Sequence, residues 1–425
     1  MPLLHRFFKF ASDIRENELR ATLVSFCLVF TLMAGYYILR PLRDSLASDW
    51  SDAEVSWLWT FTFFFSAFAV WLYAVAIRYI RFRHLVAFVY AFFAISFMLF
   101  YVGTVFIEDR VFIDKSFYVW VSVFSLFHIS VFWSLMAEVF STPQSHRLFG
   151  FIGAGASVGA MTGPTIALVL VTITGVDLLL MLTSLILLLT LPLSYWIQSL
   201  QKVVRQGEAS PACADKADVI GGNPFAGYSA FLKSPYLLMI GVFILLYTTI
   251  SSFVYFELKN LLVDFDREAR SQIWAAMDLS VNVLTVSVAM FATGRIATRF
   301  GLSLTLASVP VIIAAGLLFL SLAPVIGVVI GIQIIRRAGN YAITRPAREM
   351  LFTVVGRDIR FKAKPVIDIV LYRGGDMLNA WAFTALTQGF GLSLAAIAGI
   401  GTIVALIWAA TGIYLGREAN RISSG

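Results

Sequence analysis

The chain has 425 residues, of which 59% are hydrophobic and only 13% charged, with a formal net charge of +7 and a mean hydropathy of +0.84. Soluble domains carry roughly 25% charged residues, so this composition excludes a soluble enzyme and points to a lipid bilayer as the partner. The positive balance is explained by where Lys and Arg sit along the chain and does not argue for nucleic acid.

Met1 to Arg20 is charged and mildly amphipathic. The apolar run that follows, Ala21 to Leu39, is too long for a signal h-region and lacks an A-x-A-like cleavage site, so it reads as a retained first span. Apolar segments then recur, and spans are predicted at roughly 21–43, 55–77, 85–107, 117–139, 148–172, 177–198, 235–257, 272–294, 302–322, 325–347, 366–388 and 392–415. That makes twelve. The region 201–233, with Gly207, Pro211, Gly221, Gly222 and Pro224, reads as a linker between a six-helix bundle over 1–200 and a second over 234–425. The connections alternate in sign. Arg78, Arg81 and Arg83, then Arg147, then Lys202, Arg205, Lys216 and Lys233, then Arg295 and Arg299, and finally Arg357, Arg360, Lys362 and Lys364 mark one side. Asp49, Asp52, Glu54, Glu108, Asp109, Asp114, Asp264, Asp266 and Glu268 mark the other. The positive-inside rule places the linker and both termini in the cytoplasm. Cys27 in the first span and Cys213 in the linker are poorly placed to pair and imply no disulfide framework.

Two stretches far apart in the chain spell nearly the same thing. Tyr36 to Asp44 reads Y-x-I-x-R-P-x-R-D, and Tyr341 to Glu349 reads Y-x-I-x-R-P-x-R-E. Arginine near a lipid core is costly, so a duplicated cluster there is a candidate site. Paired guanidinium groups suit a phosphate-bearing anion. Arg337, Tyr341, Arg345 and Arg348 follow helical steps of four, four and three and are expected on one face; Tyr36, Arg40 and Arg43 repeat that geometry on the first span. Interfacial snorkelling is the bland alternative for a span-end arginine. It is weakened here because Arg40 and Arg43 lie on the acid-rich side, and Arg336 and Arg337 lie near mid-span. Charge compensation is a second alternative. Adjacent residues on a helix do not face each other, so Arg43 with Asp44 and Arg348 with Glu349 are expected to be poor pairs, and Glu138 and Glu257 better ones. On the eleventh span Arg373 and Asp376, three apart, fit either an internal pair or a substrate contact.

Elsewhere the pattern is structural. Gly155, Gly159 and Gly163 form a small-residue ridge for tight helix packing. Asp278 and Asn282, one turn apart, are expected to face inward, and His128 reads as a satisfied interior histidine. The aromatic stripes of spans two to four read as lipid-facing or packing residues. No metal-ligand cluster, nucleotide-fold glycine loop or nucleophile motif is present in the sequence, and no cofactor is implied. Gly294-Arg295-Ile296-Ala297-Thr298-Arg299-Phe300-Gly301 resembles the G-x-L-x-D-R-x-G loop of the major facilitator superfamily, with Thr298 where Asp is usual. Twelve spans with a central basic linker look like that architecture. The fold expected is thus an all-α membrane protein of two six-helix halves, major facilitator-like, with inverted three-helix repeats. Its cavity-lining helices would be spans one, four, seven and ten, and the unusual charges fall at their C-terminal ends.

The two R-P-x-R motifs, the continuation Met350 to Val355, and the stretch Arg360 to Asp368 leading into Tyr372-Arg373-Gly374-Gly375-Asp376 together resemble the bacterial and plastid ATP/ADP translocases. That resemblance covers most of the chain and implies exchange or import of nucleotides. It places Arg43 and Arg348 on the family's functional lysines, and Glu138 and Glu257 on its functional acids. Arg in place of Lys is a departure, since a planar fork replaces a point charge. The function expected is a secondary transporter, not an enzyme, that moves a nucleotide-like anion by alternating access, as a monomer in a bacterial inner membrane. Arg40, Arg43, Arg345 and Arg348, supported by Arg337, would bind phosphate oxygens. Tyr36 and Tyr341 would stack on a base or hydrogen-bond. Asp44, Glu138, Glu257, Glu349, Arg373 and Asp376 would gate or couple. The alternatives are an exporter or proton-coupled carrier of another organic anion, and a membrane receptor or assembly factor that carries nothing.

Overall fold

The computed structural model describes residues 15–79, 82–205, 226–291, 293–323, 325–352, 354–355 and 366–424. Most of the expected linker, and the basic stretch 356–365, lie outside these residues. Among them every regular element is helical. The elements are α1 (Glu16–Leu46), α2 (Asp52–Tyr79), α3 (Phe82–Phe106), α4 (Val111–Val139), α5 (Thr142–Leu188), which is kinked at Gly175 and runs on into the expected sixth span, α6 (Thr190–Arg205), α7 (Pro235–Leu261), α8 (Arg267–Phe291) and α9 (Thr293–Leu322). Next, α10 (Ile326–Gly339) runs through a π turn (Asn340–Thr344) into a last helical piece (Arg345–Leu351). A π turn (Val366–Leu371) opens α11 (Tyr372–Thr384), and α12 (Leu394–Ser424) ends the chain.

Nine of these helices are long and apolar enough to cross a membrane, counted over the described residues. α2, α10 and α11 are not among the nine. Apolar side chains are widely exposed, including Phe64, Phe68, Trp71, Leu99 and Phe106. A soluble surface does not tolerate such a belt, whereas lipid does.

Local chemistry explains the boundaries. Gly175 and Gly301 adopt φ of 72° and 70°. Only glycine takes that region without strain, so these two residues break continuous helix where one span was expected to end and the next begin. The segment Gly294 to Phe300, expected as a loop, is instead helical up to the break at Gly301. Ser234 caps α7, its hydroxyl accepting from the Leu237 amide at 3.3 Å, with Pro235 at the first helical position.

The chain divides into two compact units. Unit 1 is Met1–Ala47, Phe64–Ala212 and Phe265–Leu279; unit 2 is Ser48–Phe63, Cys213–Asp264 and Ser280–Gly425. In unit 1, α1 packs on the glycine ridge of α5. A Cβ at Gly155 would sit 2.7 Å from the Phe26 carbonyl oxygen, and one at Gly163 would sit 2.5 Å from that of Ala34. The ridge therefore packs helices, as expected. In unit 2, α12 presses Gly416 against the backbone of Ser303 on α9 in the same way.

Candidate functional site

In unit 1 the first motif ends α1. Arg43 Nε donates to Asp44 Oδ1 at 2.9 Å, Nη1 donates to Ser122 Oγ on α4 at 3.2 Å, and the guanidinium lies 5.4 Å from the Tyr118 ring centre. Arg40 Nε lies 3.7 Å from Asp44 Oδ2, one turn on, and 3.8 Å from Asp278 Oδ2 on α8. Asp44 and Asp278 are both buried. Two arginines thus share two carboxylates, on top of a tyrosine shelf. Tyr36 stacks on His128, ring centres 4.6 Å apart, and His128 Nδ1 lies 3.2 Å from the Phe124 carbonyl oxygen. His128 is the satisfied interior histidine the sequence suggests.

One expectation is corrected here. Arg43 does pair with the adjacent Asp44, and Arg348 Nη2 lies 3.7 Å from Glu349 Oε1. Successive Cβ atoms diverge on a helix, but a guanidinium at the end of a long stem curls back to reach its neighbour.

In unit 2 the second motif sits on α10, and the single helical face expected for it is broken. Arg337 is buried at 3% exposure, while Tyr341 is 39% exposed and Arg345 is also exposed. The cause is the π turn Asn340–Thr344, in which the Arg345 amide bonds the Asn340 carbonyl five residues back. Pro346 has no N–H to give the Ala342 carbonyl, and the wider turn offsets the register by about one residue. Arg348 is largely buried and Glu349 is 41% exposed by side chain.

The acids expected to gate or couple differ from one another. Glu138 is exposed near the end of α4, its carbonyl oxygen accepting from Gln201 Nε2 at 2.8 Å. Glu257 is 1% exposed, and both its carboxylate oxygens lack a hydrogen-bond partner among the described residues. Arg373 and Asp376 on α11 are half-buried. No ion pair joins them among the described residues.

Three participants carry weak sequence signals. Asp278 is expected to face inward, but its partnership with Arg40 joins residues distant in the chain. Lys259, fully buried on α7, pairs with Asp52 at 3.0 Å and donates to the Trp50 carbonyl at 2.6 Å. Arg336, also buried, bonds neutral groups on α7 and α10. Only their polarity within apolar runs points to them.

The chain matches the Major Facilitator Superfamily over residues 25–357 and belongs to it. It is an integral membrane protein and a secondary transporter of that type, in a family that is generally made of carriers rather than enzymes. No curated protein matches it. Similar solved structures include a bacterial homologue of the human lysosomal transporter Spinster, inward-facing and unoccupied, at 14% identity and a TM-score of 0.60, covering 96% of this chain and 99% of that one. A POT family transporter in complex with 5-aminolevulinic acid is 12% identical with a TM-score of 0.66, covering 94% and 96%. The nucleoside transporter NupG is 14% identical with a TM-score of 0.54, covering 96% and 100%. At these identities the likeness is one of fold.

Proposed function

We propose that the chain exchanges nucleotides, or closely similar phosphorylated organic anions, by alternating access, in the manner of the ATP/ADP translocases its motifs resemble. The observation that carries this reading is that each unit holds one copy of R-P-x-R followed by an acid, with the second arginine paired to that acid: Arg43 with Asp44, and Arg348 with Glu349. Such a pair keeps a guanidinium placed and compensated while the carrier is empty. Phosphate oxygens then replace the carboxylate, two N–H donors at a time. Arg40, Arg345 and Arg337 add positive charge to the two clusters, and Tyr36 and Tyr341 supply aromatic surface. Exchange is the mode that the resemblance to the ATP/ADP translocases implies. The positive-inside rule puts both termini in the cytoplasm, and the resemblance to the bacterial translocases suggests a bacterial inner membrane.

One observation favours a second reading, a proton-coupled carrier of another organic anion. Glu257 is buried with no hydrogen-bond partner for its carboxylate among the described residues, which is costly for the ion, so a proton that comes and goes there would couple transport to a pH gradient.

The two are first separated by binding. Purified protein is heated with ATP, ADP, a sugar phosphate or inorganic phosphate. Saturating nucleotide is expected to raise the unfolding temperature, by linkage worth about 2.7 kcal/mol at a hundredfold excess over Kd. The shift is expected to vanish in Arg43→Ala and in Arg348→Ala. Stabilisation by the sugar phosphate alone would contradict the nucleotide reading.

A further inference from the structure

Unit 2 also buries an arginine outside the repeated motif, and its surroundings are uncharged at contact distance. Arg336 on α10 is 3% exposed. Its Nε and Nη2 both donate to Gln333 Oε1, at 3.1 and 2.6 Å. Its Nη1 donates to Ser251 Oγ at 2.8 Å and to the Tyr247 hydroxyl at 3.3 Å, both on α7. The guanidinium also lies 5.8 Å from the Tyr247 ring centre. All of these partners are neutral, and Arg336 itself forms no ion pair among the described residues. Tyr372 closes one side, its ring 5.9 Å from that of Tyr247.

Neutral dipoles orient a guanidinium but do not cancel its charge, and a charge held away from water asks for a counter-charge. The Ser251 and Tyr247 oxygens accept from Arg336, which leaves the Ser251 O–H to be donated, while the Tyr247 hydroxyl also hydrogen-bonds Tyr372. A planar cation with a serine hydroxyl donor and a tyrosine hydroxyl beside it suits a compact oxyanion.

We propose that Arg336, with Ser251 and Tyr247, forms an oxyanion subsite in unit 2 that takes one phosphoryl group of the cargo. The choice of a phosphoryl group rests on the reading of the chain as a carrier of phosphorylated anions; the site is separate from the R-P-x-R motif.

The test is an isosteric change. Gln333→Glu puts a carboxylate oxygen where the amide oxygen already accepts from Nε and Nη2, and so meets the demand of Arg336 internally. The unfolding temperature of the ligand-free variant is expected to hold or rise. Stabilisation by ADP and by inorganic phosphate is expected to need roughly tenfold more ligand, or to disappear. Arg336→Lys keeps the charge without the fork, and a similar weakening is expected with the fold intact. If both variants bind ADP and phosphate as the natural protein does, Arg336 only packs the bundle; the subsite is refuted and the nucleotide reading stands. If inorganic phosphate binds and Gln333→Glu abolishes it, while no nucleotide binds, the subsite stands and the nucleotide reading falls. If no anion stabilises the natural protein, both fall.

Discussion

Near the start of α1, Glu18 is 1% exposed and accepts from Arg147 Nη1 and Nη2 at 3.1 and 2.8 Å, from Gln144 Nε2 at 3.1 Å, and from the Arg15 amide at 3.0 Å. Removing the arginine leaves a buried carboxylate with neutral donors only. Arg147→Ala is therefore expected to destabilise unit 1 by about 2 kcal/mol, less than a fully buried pair because Arg147 is 22% exposed by side chain. Thermal unfolding of the single variants and of Glu18→Gln/Arg147→Ala forms a cycle in which the double variant is expected to recover part of the loss. Strictly additive losses would show that the two residues do not interact. In the sequence Arg147 is a basic residue of a connecting segment, and nothing in its spacing reveals Glu18. The same holds for Arg40 with Asp278. Pairs made between helices far apart in the chain leave no periodic trace, whereas the R-P-x-R motifs were visible because each is spelled within one helix.

Helix packing gives a sharper contrast, because the sign of a substitution depends on position. A Cβ at Gly159 would strike the carbonyl oxygen of Phe30, and nothing lies within 4 Å of one at Gly150 on the same helix. Alanine in place of glycine in a helix gains roughly 0.5–1 kcal/mol where space allows, and overpacking costs about 1–3 kcal/mol where it does not. Gly150→Ala is therefore expected to raise the unfolding temperature slightly, and Gly159→Ala to lower it by several degrees. Equal effects at the two sites would refute close packing of α1 on α5. The ridge was legible because small residues spaced four apart have one main use between membrane helices. The breaks at Gly175 and Gly301 were legible as gaps between apolar runs. The π turn in α10 was not. Reading Arg337, Tyr341, Arg345 and Arg348 as one face assumed 3.6 residues per turn throughout, and Pro346 disturbs that period one turn upstream of itself.

At the scale of the whole molecule, each unit carries its own arginine cluster, and membership of the superfamily makes the chain a carrier. The apolar runs were legible because bilayer thickness fixes their length, and nine of the helices among the described residues are long and apolar enough to cross. The proposed cargo is an oxyanion because guanidinium groups call for one, and the motifs say little of what it is attached to. Exchange is measured directly in proteoliposomes loaded with unlabelled ADP and supplied with labelled ADP outside. If the two arginine motifs bind a nucleotide cargo, labelled ADP enters loaded vesicles, does not enter empty ones, and fails to enter in either Arg43→Ala or Arg348→Ala. Uptake into empty vesicles driven by an imposed pH gradient, or undiminished exchange in both variants, would contradict the proposal.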